Sequence, residues 1–306
     1  VNDAPTLGGI VTGQTVTDIT TVTPFSGVTI GDVDPSQSVS VTIALDVAAK
    51  GVFTPASLLT SGFTNPSAGV YLFTGTASAA QAAIRQLEFD PANNRVTPAS
   101  TETTTFAVTV SDGIAFAANT SGTVISTSVN DAPMFGGAVA GQAVNDVATV
   151  LPFSTFTVSD VDPGQNVTIV VTIDNVAKGV FTTASLSLAG FATSGPGVYT
   201  FSGTAAAGQT GIRQLSFDPT NYRVAPGSTE TATFTVSVND GVATAVTNNT
   251  TTVVSTSTNA TPTLTAISTL TEGATARVEY TITFAALAAA ANEADGNTGD
   301  TIRFRI

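Results

Sequence analysis

Apolar and polar residues alternate with a period of two over Val39–Leu45, where Val39, Val41, Ile43 and Leu45 face one way and Ser40, Thr42 and Ala44 the other. That period predicts a strand with one buried face. Phe106, Val108 and Val110 alternate with Thr105, Ala107 and Thr109 and predict another, with Asp112-Gly113 after it as a hairpin signal. Shorter strands are expected at Thr6–Ile10, Phe25–Ile30, Val70–Phe73 and around 120–128. The period then changes once. Ala80, Ala83, Ile84 and Leu87 fall at helical spacing, with Thr76 or Ser78 able to cap the start, so one helix is expected from about Ser78 to Leu87. Lys50 to Pro66 reads as irregular.

The whole pattern recurs. Asp32-Val33-Asp34-Pro35 returns as Asp160-Val161-Asp162-Pro163, Phe89-Asp90-Pro91 as Phe217-Asp218-Pro219, and Ser100-Thr101-Glu102-Thr103 as Ser228-Thr229-Glu230-Thr231, always at an offset of 128 residues. One residue is gained late in the second copy, since Ser126-Thr127-Ser128 becomes Ser255-Thr256-Ser257. A period of this length is a whole domain and not a solenoid unit. Val1-Asn2-Asp3-Ala4-Pro5 opens the first copy, Val129-Asn130-Asp131-Ala132-Pro133 the second, and Thr258-Asn259-Ala260-Thr261-Pro262 a third. The expected organisation is linker 1–5, repeat 6–128, linker 129–133, repeat 134–257, and a linker with an incomplete third repeat over 258–306. In that third part, strands are expected at Leu264–Ile267, Val278–Phe284 and Thr301–Ile306, with a short helix at Ala285–Ala291. So few residues cannot close a sandwich alone. Either the chain is a piece of a longer array, or another chain completes this unit by strand addition. About seven short strands per copy predict an all-β fold of tandem immunoglobulin-like Greek-key β-sandwiches, each with one short inserted helix. In the second copy the helix carries Gly208 and Gly211, which costs it about 1 kcal/mol each against alanine, so packing must hold it.

Composition sharpens this. Of 306 residues, 42% are hydrophobic and 10% charged, which suits packed cores and not a disordered chain. The net charge of −13 argues against nucleic acid and anionic membranes as partners. No apolar stretch is long enough for a membrane span. The chain has no Cys and no His, so neither a disulfide framework nor a typical zinc site can form, and a bound metal would be a hard one held by oxygen. The same absence removes the common nucleophile–base pairs, and the chain is read as non-enzymatic. It also has no Trp, which counts against a carbohydrate platform. Tyr71, Tyr199, Tyr222 and Tyr280 form no evident cluster. Arg85 and Arg213 are read as partners of local carboxylates.

The acidic residues stand at expected strand ends: Asp32, Asp34, Asp90 and Asp112 in the first copy, Asp160, Asp162, Asp218 and Asp240 in the second, beside the linker pairs Asn2-Asp3 and Asn130-Asp131. An Asp-x-Asp turn can aim two carboxylates at one calcium ion, which takes six to eight oxygens. Asp-Pro and Asp-Gly are also ordinary turn formers, so the same residues admit a metal-free reading.

Val-Asn-Asp-Ala-Pro resembles the linker of cadherin repeats and of the cadherin-like repeats of large bacterial surface adhesins. Asp160-Val161-Asp162 is similar to the family's Asp-x-Asp motif, Asn239-Asp240-Gly241 to its Ala-x-Asp motif, and Asp90 stands near its Leu-Asp-Arg-Glu. The resemblance implies calcium held by Asp90, Asn130, Asp131, Asp160, Asp162 and Asp240. The earlier linker would use Asn2, Asp3, Asp32, Asp34 and Asp112. The linkers lack the family's extra Asp and Asn, and the Glu is missing, so fewer ions are expected than at a full cadherin junction. At the third linker Asp131 becomes Ala260, with Asp218, Asp295 and Asp300 as possible substitutes, so calcium there is expected to be weak or absent. The expected role is a spacer of an extracellular bacterial surface adhesin or filament, whose partners are neighbouring repeats, copies of itself or a surface ligand. A self-assembling filament subunit and a carbohydrate- or protein-binding module are the alternatives.

Overall fold

The computed structural model describes residues 1–34, 37–268, 283–297 and 303. Among these the chain divides into two compact units, Val1–Asp131 with Asp160–Gln165, and Ala132–Ser159 with Asn166–Ile306.

The first copy runs β1 (Thr6–Gly8), β2 (Gln14–Thr17), β3 (Thr29–Gly31), β4 (Val39–Leu45), β5 (Gly51–Phe53), α1 (Pro55–Ser61), β6 (Thr64–Ser67), β7 (Val70–Gly75), α2 (Ala77–Ile84), β8 (Phe89–Pro91), β9 (Thr101–Ser111) and β10 (Phe116–Thr127). The second runs β11 (Met134–Gly136), β12 (Gln142–Asn145), β13 (Thr157–Ser159), β14 (Val167–Ile173), β15 (Gly179–Phe181), α3 (Thr183–Ala189), β16 (Ala192–Gly195), β17 (Val198–Gly203), α4 (Ala205–Ile212), β18 (Phe217–Pro219), β19 (Thr229–Asn239), β20 (Val246–Asn248) and β21 (Thr252–Thr256). One further helix, α5, spans Phe284–Ala290.

In each copy a large sheet faces two small ones. The first is ordered β2-β10-β9-β4-β7-β6, with pairs β1-β3 and β5-β8. The second repeats it as β12-β21-β19-β14-β17-β16, with β20 beside β19 and pairs β11-β13 and β15-β18. Strand β2 joins β10 in parallel, as β12 joins β21, and the other neighbours in the large sheets are antiparallel. The fold is all-β. The alternating rows read from the sequence are its buried rows: Val39, Val41, Ile43, Phe106, Val108 and Val110 are at most 1% exposed.

An aromatic cluster fills the space between the sheets. Phe25, Phe53, Tyr71, Phe89 and Phe106 return as Phe153, Phe181, Tyr199, Phe217 and Phe234. Phe89 meets Phe106 edge-on at 5.1 Å, and Phe217 meets Phe234 at 5.0 Å. Edge-to-face rings gain beyond the area they bury. The Tyr71 hydroxyl accepts from the Phe53 N–H at 3.3 Å, so its polar tip is satisfied inside the core. Tyr71 and Tyr199 are therefore core residues and not a sugar platform.

Several expectations change. Each copy holds two α-helices and not one. Helix α1 has clear end signals: Thr54 caps the Ser57 N–H, Pro55 begins the helix, and Gly62 ends it at φ 76°. Its buried residues are Ser57 and Ser61, so no apolar period announced it. Helix α2 is Ala77–Ile84, capped by Thr76. Strand β3 is shorter than expected because Phe25 to Val28 is a turn, closed by the Val28 N–H on the Phe25 carbonyl at 3.0 Å. The extra residue of the second copy lies in a hairpin: Val110 faces Ala117 in the first copy, while Val238 faces Val246. Leu264–Ile267 forms no strand: isolated bridges join Thr263 before it to Ala294 and Ile267 to Ala291. The expected strand at Val278–Phe284 lies outside the described residues up to position 282, and Phe284 begins α5. Of Thr301–Ile306 only Arg303 is described, and Tyr280 and Asp300 lie outside.

Among the described residues, Arg85 and Arg213 pair with no carboxylate. Their Nε atoms donate to the Val28 and Phe156 carbonyls at 2.7 and 2.6 Å. These turns leave a carbonyl facing the helix end, and the guanidinium closes it. The ion pairs are elsewhere, Lys50–Asp46 and Lys178–Asp174 at 2.6 Å, and Arg95–Glu102 and Arg223–Glu230 at 2.7 and 2.8 Å.

Candidate functional site: the linker clasps

The first two linkers are each held by an Asp-x-Asp loop. In the first copy Asp34 folds its own N–H onto Asp32 Oδ1 at 2.9 Å and accepts the Asp3 N–H on Oδ2 at 2.8 Å. In the second, Asp162 donates its N–H to Asp160 Oδ1 at 3.0 Å and accepts the Asp131 N–H on Oδ2 at 2.8 Å. The loop's first carboxylate shapes the turn and its second grips the linker backbone.

A glutamine completes each clasp. Gln37 Nε2 donates to Asn2 Oδ1 at 2.7 Å, and Gln165 Nε2 donates to Asn130 Oδ1 at 2.6 Å. Asn2 Nδ2 in turn donates to Asp112 Oδ2 at 2.9 Å. The Asp160–Gln165 loop lies within the first compact unit, with Gly164 at φ 76° so close to Thr97 that a Cβ would stand 2.8 Å from Thr97 Cγ2.

Among the described residues, buried oxygens in both clasps accept no hydrogen bond: Asp32 Oδ2 and Gln37 Oε1 in one, Asp160 Oδ2 and Gln165 Oε1 in the other. Buried polar atoms are nearly always satisfied. Four acceptors left over at the same places in two copies fit a hard cation, which takes carboxylate, amide and carbonyl oxygens together. Among the described residues no three carboxylates stand together as a ready-made metal group, so amide and carbonyl oxygens would have to supply much of the shell.

Hydrogen bonds tie Asn2, Asp32, Asp34, Asp112 and the Asp3 backbone into one clasp, and Asn130, Asp160, Asp162 and the Asp131 backbone into the other. Asp90 lies in β8 opposite Val52, beside a shallow hollow lined by Ala48, Gly51 and Asn93, and makes no side-chain hydrogen bond to a linker among the described residues. Asp112 and Asp240 also act as turn residues. Asp112 Oδ1 accepts from the Ile114 and Ala115 N–H groups at 2.7 Å, and Asp240 Oδ1 from Val242 and Ala243 at 2.8 Å. The Ala115 and Ile114 N–H groups, with the Asn2 amide, hold the Asp112 carboxyl below the ordinary carboxylate range.

Two further aspartates anchor the linkers. Asp18 is 3% exposed and Asp146 2%. Asp18 accepts the Val129 N–H at 2.9 Å and the Asn94 N–H at 3.0 Å. Asp146 accepts from the Thr258 N–H at 2.9 Å, the Thr258 hydroxyl at 2.8 Å, the Ser257 hydroxyl at 3.1 Å and the Tyr222 N–H at 2.6 Å. Burial pushes the Asp146 carboxyl up, but these donors outweigh it and hold it below the ordinary range. Their recurrence at the same 128-residue offset was the signal in the sequence; no turn or motif accompanied it.

No protein-family model and no curated protein matches the chain. Among solved structures it is similar to human CDH23 EC21-23, at 12% identity over 97% of this chain and 81% of that one, TM-score 0.36. It is similar to the C-terminal domain of the Streptococcus pyogenes antigen I/II-family protein AspA, at 10% identity over 83% and 99%, TM-score 0.21. It is also similar to Drosophila N-cadherin EC1-4, at 9% identity over 88% and 55%, TM-score 0.24. No residue role is carried over from any of them.

Proposed function

We propose that this chain is a mechanical spacer, tandem repeats of an extracellular bacterial surface adhesin or filament whose linkers are stiffened by calcium. The role is not catalytic. The observation that carries the calcium reading is the recurrence, among the described residues, of unsatisfied buried acceptor oxygens beside the first two linkers, at Asp32 and Gln37 and again at Asp160 and Gln165. A divalent cation there would neutralise the Asp-x-Asp carboxylates and hold the linker against its loop. Ligands would come from Asn2, Asp3, Asp32, Asp34 and Asp112 at the first clasp, and from Asn130, Asp131, Asp160 and Asp162 at the second. The Val-Asn-Asp-Ala-Pro linkers and the doubling of a complete domain support the spacer role.

Calorimetric titration of the chain with calcium, magnesium held constant, tests this. Binding is expected, with D32N/D34N and D160N/D162N each removing one class of site. Binding unchanged by both pairs would place calcium elsewhere and overturn the clasps as its site.

A further inference from the structure

The third linker closes by a different chemistry. Here Asp295-Gly296-Asn297 takes the place of Asp-x-Asp: the Asn297 N–H folds onto Asp295 Oδ1 at 3.0 Å, as Asp34 folds onto Asp32 and Asp162 onto Asp160. Asn297 Oδ1 accepts the Ala260 N–H, the same grip that Asp34 makes on Asp3 and Asp162 on Asp131. Asn297 Nδ2 then does what a carboxylate cannot. It donates to the Thr258 carbonyl at 2.7 Å, closing a two-point clasp on the linker. Asn297 is 8% exposed and Ala260 8%, so this clasp is buried. Gly296 lies close against it, since a Cβ there would stand 3.1 Å from the Tyr222 ring and 3.3 Å from Ala260 Cβ.

The two substitutions match. Where the second clasp has Asp131 gripped by Asp162, the third has Ala260 gripped by Asn297, so charge is removed on both sides of one hydrogen bond. A carboxylate needs a cation or water to bridge it to a neighbouring carbonyl oxygen, whereas an amide bridges it directly.

We infer that the third linker is a cation-independent clasp, in which the Asn297 amide stands in for the ion, so that one chain carries both calcium-dependent and calcium-independent linkers. The contrast rests on the calcium reading of the first two clasps.

Amide hydrogen exchange of the whole chain, read by NMR at Asp131 and Ala260 with calcium and with chelator, tests it. Chelation is expected to speed exchange at Asp131 by about tenfold or more and to leave Ala260 unchanged. In N297D, which keeps the grip on Ala260 but loses the donor, Ala260 exchange is expected to become calcium-sensitive. Loss of protection at both amides in the unaltered chain would overturn the inference and leave the calcium reading standing. No change at either amide would overturn both.

Discussion

Ile169 reaches into the space that a side chain at position 208 would need. A Cβ built on Gly208 stands 2.6 Å from Ile169 Cδ1. In the first copy the same two positions are Val41 and Ala80, both fully buried. The larger strand residue and the smaller helix residue have exchanged volume across the interface. Gly211 is held more tightly still, since its Cβ would stand 2.3 Å from the Ala189 carbonyl oxygen.

That exchange predicts a coupled pair. G208A alone is expected to destabilise the second unit by about 1–3 kcal/mol through overpacking, despite alanine's better helix propensity. I169V added to it is expected to recover much of the loss. Denaturant midpoints of the four variants in a double-mutant cycle measure the coupling, and strict additivity would refute the volume exchange.

Asp146 is expected to be among the most sensitive polar positions. D146A strands the N–H groups of Tyr222 and Thr258 and the hydroxyls of Ser257 and Thr258. Each unmet buried donor costs about 1–3 kcal/mol, so a loss on the order of 3 kcal/mol is expected after relaxation. Urea unfolding compared with a surface control such as D218A measures it.

The same carboxylate sets a pH dependence. Asp146 has a folded pKa below its ordinary value, as do Asp46 and Asp174, where burial opposes but the Lys50 and Lys178 hydrogen bonds prevail. A depressed carboxylate pKa stabilises the fold above the unfolded value, about 3.9, and that stability is lost as pH falls through the folded value. Melting temperature without calcium is therefore expected to be flat from about pH 7 to 5 and to fall steeply below about 4. A fall beginning near pH 6 would point to other groups.

Much of this architecture was legible in the residues. Period-two alternation marks β4 and β9 because one face of each is fully buried, and the repeat transfers every assignment from one copy to the other. Helix α1 was not legible because its fully buried residues are serines, with Leu58 alone packing against the core beside them. The first ring of the clasps, Asp32, Asp34 and the linker pairs, was legible as Asp-x-Asp beside Asn-Asp. Gln37 and Gln165 were not, since a lone glutamine carries no turn or ligand signature. Asp18 and Asp146 were missed because a single aspartate after threonine or asparagine looks exposed, and only the fold buries it. Asn297 was missed because its loop breaks the Asp-x-Asp spelling while keeping the hydrogen bonds.

The most direct test is thermal unfolding of the whole chain with millimolar calcium and with excess chelator. If calcium binds the folded clasps alone, saturation near 100 times the dissociation constant adds roughly 2.7 kcal/mol. The predicted result is a clear rise in melting temperature, reduced in D160A/D162A and abolished when D32A/D34A is added. A melting temperature indifferent to calcium would contradict the account and leave the gathered aspartates as turn and linker ties only.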